Sequence, residues 1–165
     1  MVSQTEGLVT LAVPNGSEWT TKPSGYASAS LAAGTVSSRT SKHLVARDLK
    51  LAIPSTATIK GITVEVIRKS SYSGSSYYIT DDEVRLKKAV FTSAANRAKP
   101  GAWGLSWTTQ TYGGPNDLWG DTWLPSDVNG TWFGAEISAV YHGTAFDSVA
   151  QVDSVRVTVT YQICK

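Results

Sequence analysis

From Val155 to Ile163 the chain alternates without a break, with Val155, Val157, Val159, Tyr161 and Ile163 apolar and Arg156, Thr158, Thr160 and Gln162 polar between them. A period of two in β-branched residues predicts a half-buried strand with the valines turned inward. The same alternation predicts strands with one wet face at Ile62, Val64 and Val66, set against Thr63 and Glu65, and at Phe133, Ala135, Ile137 and Ala139, set against Glu136 and Ser138. Shorter candidates are Leu8 to Val13, Leu49-Leu51-Ile53, and Val84-Leu86 among Glu83, Arg85 and Lys87. Ser41 to Ala52 also fits an amphipathic helix, but the alternation running up to Pro54 favours a strand.

Turn-forming clusters separate these runs: Pro14 to Ser17, Lys22 to Gly25, Ser70 to Ser76, and Lys99-Pro100-Gly101. Strands joined by turns, with no helical spacers and no internal repeat, predict an all-β fold, an antiparallel β-sandwich of jelly-roll-like form. Within it, Tyr112 to Gly134 is a long connection carrying Trp119, Trp123 and Trp132 with Asp117, Asp121 and Asp127. Its glycines allow unusual backbone angles while the indoles pin it down, so it reads as rigid scaffold and not as a lid.

The 165 residues are enough for one domain with a sizeable core. A net charge of +2, with acids and bases interleaved, is no nucleic-acid footprint. No apolar run is long enough for a membrane-spanning helix, and the first residues carry no signal-peptide pattern. A single cysteine, Cys164, fits synthesis in a reducing cytoplasm. The expected partners therefore include neither nucleic acid nor membrane.

Candidate chemistry is sparse. His43 and His142 lie far apart with no nucleophile or metal motif beside either, so no catalytic residue is expected. The enzyme reading that survives is a glycosidase drawing two carboxylates from Asp81, Asp82, Glu83, Asp117 and Asp121. A structural calcium ion on Asn116, Asp117 and Asp121 is weighed against loop side chains bonding their own backbone, and the second is favoured, so no cofactor or metal is expected. The tryptophans read first as packing and second as a sugar platform, with Trp103 and Trp107 of the Gly-rich run GAWGLSW the pair expected at the surface. Tyr72, Tyr77 and Tyr78 form a second candidate contact surface at a turn.

From Trp19 to Gln162 the chain resembles the β-sandwich domain of tailed-phage structural proteins. The pieces that match, in order, are Gly25-Tyr26-Ala27, Leu51 to Pro54, Ala57 to Val64, Tyr112-Gly113-Gly114, Asp117 to Gly120, Trp123, Asp127-Val128-Asn129, Phe133-Gly134 and Val152 to Val155. Pro54 is expected to end a strand, Gly61 to allow close approach or a bulge, Val128 to point inward, and Asp153 to hold a turn before the last strand. The resemblance implies a bacteriophage virion structural protein with no catalytic residues to carry over. A compact domain without fibre repeats points to a capsid decoration (cement) protein, with tail or baseplate attachment next; a carbohydrate-binding module recognising a host glycan is the reading from another class. Implied partners are the chain itself, as a cyclic homo-oligomer such as a trimer, and the major capsid or tail proteins, with the virion as location.

Residues 1–18 fall outside the resemblance and are read as an N-terminal arm or first strand before a sandwich spanning 19–165. The arm's Leu8, Val9, Leu11 and Val13, together with Trp103 and Trp107, are the candidate interface residues. Strand addition to a neighbouring subunit is preferred for the arm over pairing within its own domain.

Overall fold

The computed structural model describes residues 2–6, 11–12, 19–23, 25–31, 38–89, 91–92, 95–144 and 147–163. Its elements in chain order are β1 (Val2–Glu6), β2 (Leu11–Ala12), β3 (Trp19–Thr21), β4 (Ala27–Leu31), β5 (Ser38–Thr40), β6 (Leu44–Arg47), β7 (Ala57–Ser70), β8 (Tyr78–Lys88), β9 (Phe91–Thr92), β10 (Thr108–Gly114), α1 (Pro125–Val128), β11 (Gly134–His142) and β12 (Ser148–Ile163). They form an all-β antiparallel sandwich. One sheet runs β10-β7-β12-β4-β3 with β1 also on β12; the other runs β2-β6-β11-β8-β9 with β5 also on β11.

Of the long strands, β7, β11 and β12 are those whose alternation was clearest, because a strand buried on one face is locked in register by its apolar parity. β8 extends over eleven residues where the sequence marks only Val84 and Leu86. Val155, Val157, Val159 and Tyr161 of β12 are buried beside Ile62, Val64 and Val66 of β7, while Arg156 is exposed. Gly61 sits at an irregularity in that ladder, where a Cβ would overlap the Pro115 carbonyl. Only a residue without a side chain fits there, as the sequence implied.

Several expectations are corrected. Leu49, Leu51 and Ile53 are buried but lie in no strand, because Asp48 and Lys50 adopt left-handed backbone at φ 63° and 55°. The segment threads its apolar side chains inward by backbone reversal, and Asn129 stands in for a strand partner by accepting from Ile53 N (2.9 Å) and donating to Ile53 O (2.8 Å). Pro54 therefore ends no strand; its carbonyl accepts from Ala57 N in a turn. β11 has no wet face, since Glu136 and Ser138 are buried as well, covered by Lys87 and by a bond to Asp82. Asp153 holds no preceding turn, because β12 already runs from Ser148 and passes through Asp153 at a register shift.

The arm is corrected too. β1 pairs with β12 from Val2 opposite Tyr161 to Glu6 opposite Val157, and β2 sets Leu11 opposite Ala46 of β6. Both described pieces of the arm thus extend the chain's own two sheets. The neighbour-addition reading fails for them because free edges of β12 and β6 lie within the same domain. Leu8, Val9 and Val13 fall outside the described residues.

Candidate functional site

The long connection after β10 is fastened at almost every turn. Asp117 takes a two-pronged bond from Arg97 (2.9 and 2.8 Å) and accepts from Trp119 N (2.8 Å). Trp119 is fully buried, donates through Nε1 to Ile62 O (2.8 Å), and holds a left-handed backbone at φ 58°. Trp123 Nε1 reaches Leu118 O (2.9 Å), and Asp127 caps α1 by accepting from Leu124 N (2.8 Å) while Val128 is buried. Asp121 accepts from Thr122 N (2.7 Å). These aspartates fasten the loop both to its own backbone and to Arg97 and Lys88 outside it. The Arg97 hydrogen bonds hold the Asp117 carboxyl below the usual carboxylate range, outweighing the opposing effect of burial.

At the rim of the sandwich lies a buried polar knot that sequence reading did not anticipate. Asp81, whose side chain has no exposure, accepts from Trp103 Nε1 (2.9 Å), Tyr112 Oη (2.8 Å) and Lys99 N (3.0 Å), and faces Arg68 Nη1 at 3.2 Å. Burial, with the negative Asp81 beside it, pushes the Tyr112 hydroxyl far up from its ordinary value. Arg68 stacks on Trp103 (4.7 Å to the ring centre) and is almost wholly buried. A signal for it existed: continuing the parity of Ile62, Val64 and Val66 by one step lands on Arg68, a charge at a core-facing position.

Trp103 is thus corrected from surface candidate to core residue, because its indole N–H is consumed by Asp81. Trp107 is 40% exposed as expected, edge-on to Tyr26 (5.7 Å) with Lys69 Nζ 4.5 Å above its ring. Tyr72 is exposed at the β7–β8 turn and leans on Tyr77. Asp121 and Asp127 both lie against Lys88 Nζ, at 3.8 and 3.3 Å. Glu83 bonds Arg85 (2.8 Å) and His43 (2.7 Å), and the Arg85 bond holds its carboxyl low against desolvation. His142 meets Thr80 Oγ1 (2.9 Å) and stacks on Tyr78. Among the described residues no three His, Cys, Asp or Glu side chains are grouped for a metal ion.

Two of the concavities lined by described residues are of note. One, of about 250 Å³, is lined by Arg68, Ala102, Trp103, Gly104, Thr108 and Gln110. The other, of about 360 Å³, is lined by Arg47, Asp48, Lys50, Thr131 and Trp132. Trp132, 47% exposed, carries the Arg47 guanidinium 4.4 Å from its ring centre. Trp132 is one of the tryptophans that the sequence offers as a sugar platform, whereas Arg47 does not stand out there, since their meeting depends on the left-handed turn at Asp48.

No protein-family model matches the chain, and no curated protein matches it. Among solved structures, that of the infectious bursal disease virus Gx strain is similar with a TM-score of 0.41 and 14% identity, over 96% of this chain and 32% of that one. The chain therefore spans about a third of that protein's length. The family 11 carbohydrate-binding module of the Clostridium thermocellum cellulase Lic26A-Cel5E gives 0.40 and 9% identity, over 100% of this chain and 91% of that one. The cryo-EM structure of Broad Bean Stain Virus gives 0.26 and 13%, over 99% and 91%. Likenesses this distant carry no functional argument, and the fold rests on the chain's own strand pairing.

Proposed function

We propose that the chain is a virion structural protein of a tailed phage, binding itself and neighbouring virion subunits without enzymatic activity, and that it decorates the capsid. The supporting observation is how its reactive groups are spent. Asp81, Asp82, Glu83, Asp117 and Asp127 are each committed to an ion pair, a buried hydrogen bond or a cap, while Leu105, Trp107, Leu124 and Trp132 stand exposed. Fixed acids and outward apolar side chains suit binding, not turnover. The resemblance along Trp19 to Gln162 supplies the virion context. The test is co-sedimentation of purified protein with phage particles assembled without it: saturable binding to heads is expected. Binding to tails alone would move the role to tail or baseplate attachment, and binding to neither would overturn the reading.

A second reading, glycan binding, draws on Trp132. An exposed indole beside Arg47, Asp48, Lys50 and Thr131 offers a sugar an apolar face and polar partners at once. Glycan-array binding that is lost in Trp132→Ala would favour it over assembly.

A further inference from the structure

Strand β10 ends its sheet, pairing with β7 alone among the described residues. Its sequence, Thr-Thr-Gln-Thr-Tyr-Gly-Gly, contains no charge and no proline, and Thr108, Thr109 and Thr111 are exposed. Free edges are ordinarily guarded by lysines, prolines or bulges, because their open N–H and C=O groups invite another strand. This edge has no such guard. Just before it stand Leu105 and Trp107, 60% and 40% exposed.

Beneath the same edge lies the cleft of about 250 Å³ lined by Arg68, Trp103, Thr108 and Gln110. Arg68 Nε is buried without a hydrogen-bond acceptor, Nη1 meets the Asp81 carboxylate at 3.2 Å outside hydrogen-bond geometry, and Nη2 reaches Gln110 Oε1 only at 3.4 Å. Buried donors left so are costly, and an acceptor delivered to the cleft removes that cost. Register fixes the direction of delivery: Thr108 lies opposite Arg68 and Gln110 opposite Val66, so both project on the sheet's inner side with Arg68. A strand added to β10 would set alternate side chains over this cleft. Charge fixes the chemistry, because Asp81 already neutralises Arg68 at 3.2 Å and a further carboxylate would leave net charge buried. A neutral acceptor is called for. β10 itself carries two at the right parity, the Thr108 hydroxyl and the Gln110 carboxamide.

We propose that two copies of this chain join edge to edge through antiparallel β10 pairing about a two-fold axis, each offering its Gln110 carboxamide or Thr108 hydroxyl to the Arg68 cleft of the other. Self-pairing of this kind keeps inner-face residues opposite inner-face residues and brings no like charges together. It rests on the reading of the chain as a self-associating virion component, and it replaces the trimer with an even-numbered assembly.

Sedimentation velocity over a concentration series, on the full chain, tests it. The unmodified protein should dimerise reversibly. The register that sets Gln110 of one copy opposite Thr108 of the other, and so over its Arg68 cleft, places the two copies of residue 109 face to face at the axis. Thr109→Lys should therefore weaken the dimer by about tenfold or more by setting lysine against lysine. In the monomer that lysine lies opposite Ile67 on the exposed side of the strand, so the fold should persist, checked by thermal melting. Gln110→Ala should weaken the dimer too. Amide exchange on the unmodified protein gives a readout that no variant's misfolding can spoil: amides of Thr108 to Tyr112 should gain protection as concentration rises. A monomer at every concentration, an oligomer untouched by Thr109→Lys, or β10 amides indifferent to concentration would each overturn the proposal. A monomer that still binds phage heads would sink this inference alone, whereas a β10 dimer that binds no particle would sink the virion reading alone.

Discussion

Removing Asp81 should be among the most damaging single changes available, and removing its partner Arg68 should be clearly milder. Asp81→Ala strips the acceptor from Trp103 Nε1, Tyr112 Oη and Lys99 N at once and leaves the Arg68 guanidinium buried opposite nothing. Breaking a buried ion pair by deleting one member costs about 3–5 kcal/mol, and an orphaned buried donor about 1–3 kcal/mol. The contributions overlap, so the expected loss is about 4–6 kcal/mol, comparable with the whole stability of a marginal domain at about 5–15 kcal/mol. Arg68→Met differs in kind. Asp81 would keep three hydrogen bonds, and the Nε donor that now lacks an acceptor would vanish with the guanidinium. We predict a loss of about 1–3 kcal/mol there. Urea denaturation followed by tryptophan fluorescence and far-UV circular dichroism measures both. If Arg68→Met proves as destabilising as Asp81→Ala, or if Asp81→Ala costs less than about 1 kcal/mol, the account of the knot as a carboxylate held by neutral donors is wrong.

Acid should weaken the fold through Asp117 and Glu83, whose folded-state carboxyls are held low by Arg97 and Arg85. A lowered carboxylate contributes stability that is full above its unfolded value, near pH 4, and is lost as pH falls through the folded one, so Asp117→Asn should flatten the melting temperature's decline below about pH 4. The opposite holds for Tyr112, raised by burial: stability should fall as pH climbs past about 10, and spectrophotometric titration should show one tyrosine ionising only on unfolding. Gly61→Ala, which drives a Cβ into the Pro115 carbonyl, should cost at least about 1–3 kcal/mol, whereas Gly101→Ala, with open space around it, should be near neutral in the same denaturation assay. Asn129→Ala, which unhooks both backbone groups of Ile53, should cost about 2 kcal/mol; no change would mean water satisfies them equally well.

Sequence alone determined the fold class and the long central strands, because a strand buried on one face writes its parity into consecutive residues, as in Val155 to Tyr161 and Ile62 to Val66. It also determined the inward Val128 and the constrained Gly61, since local backbone geometry admits few residues at such positions. Only the tertiary structure decided that Leu49, Leu51 and Ile53 bury without a strand: an alternating pattern records which side chains point inward, not whether the backbone finds a ladder partner. It alone decided that the described arm residues stay in the chain's own sheets, and that β11 has two covered faces, because coverage depends on strands distant in sequence. The polar knot shows the same division. Arg68 sits at a core-facing parity legible from its neighbours, but what neutralises it, Asp81 from the next strand and Trp103 and Tyr112 from beyond it, are brought together by pairing and loop closure that no local pattern encodes.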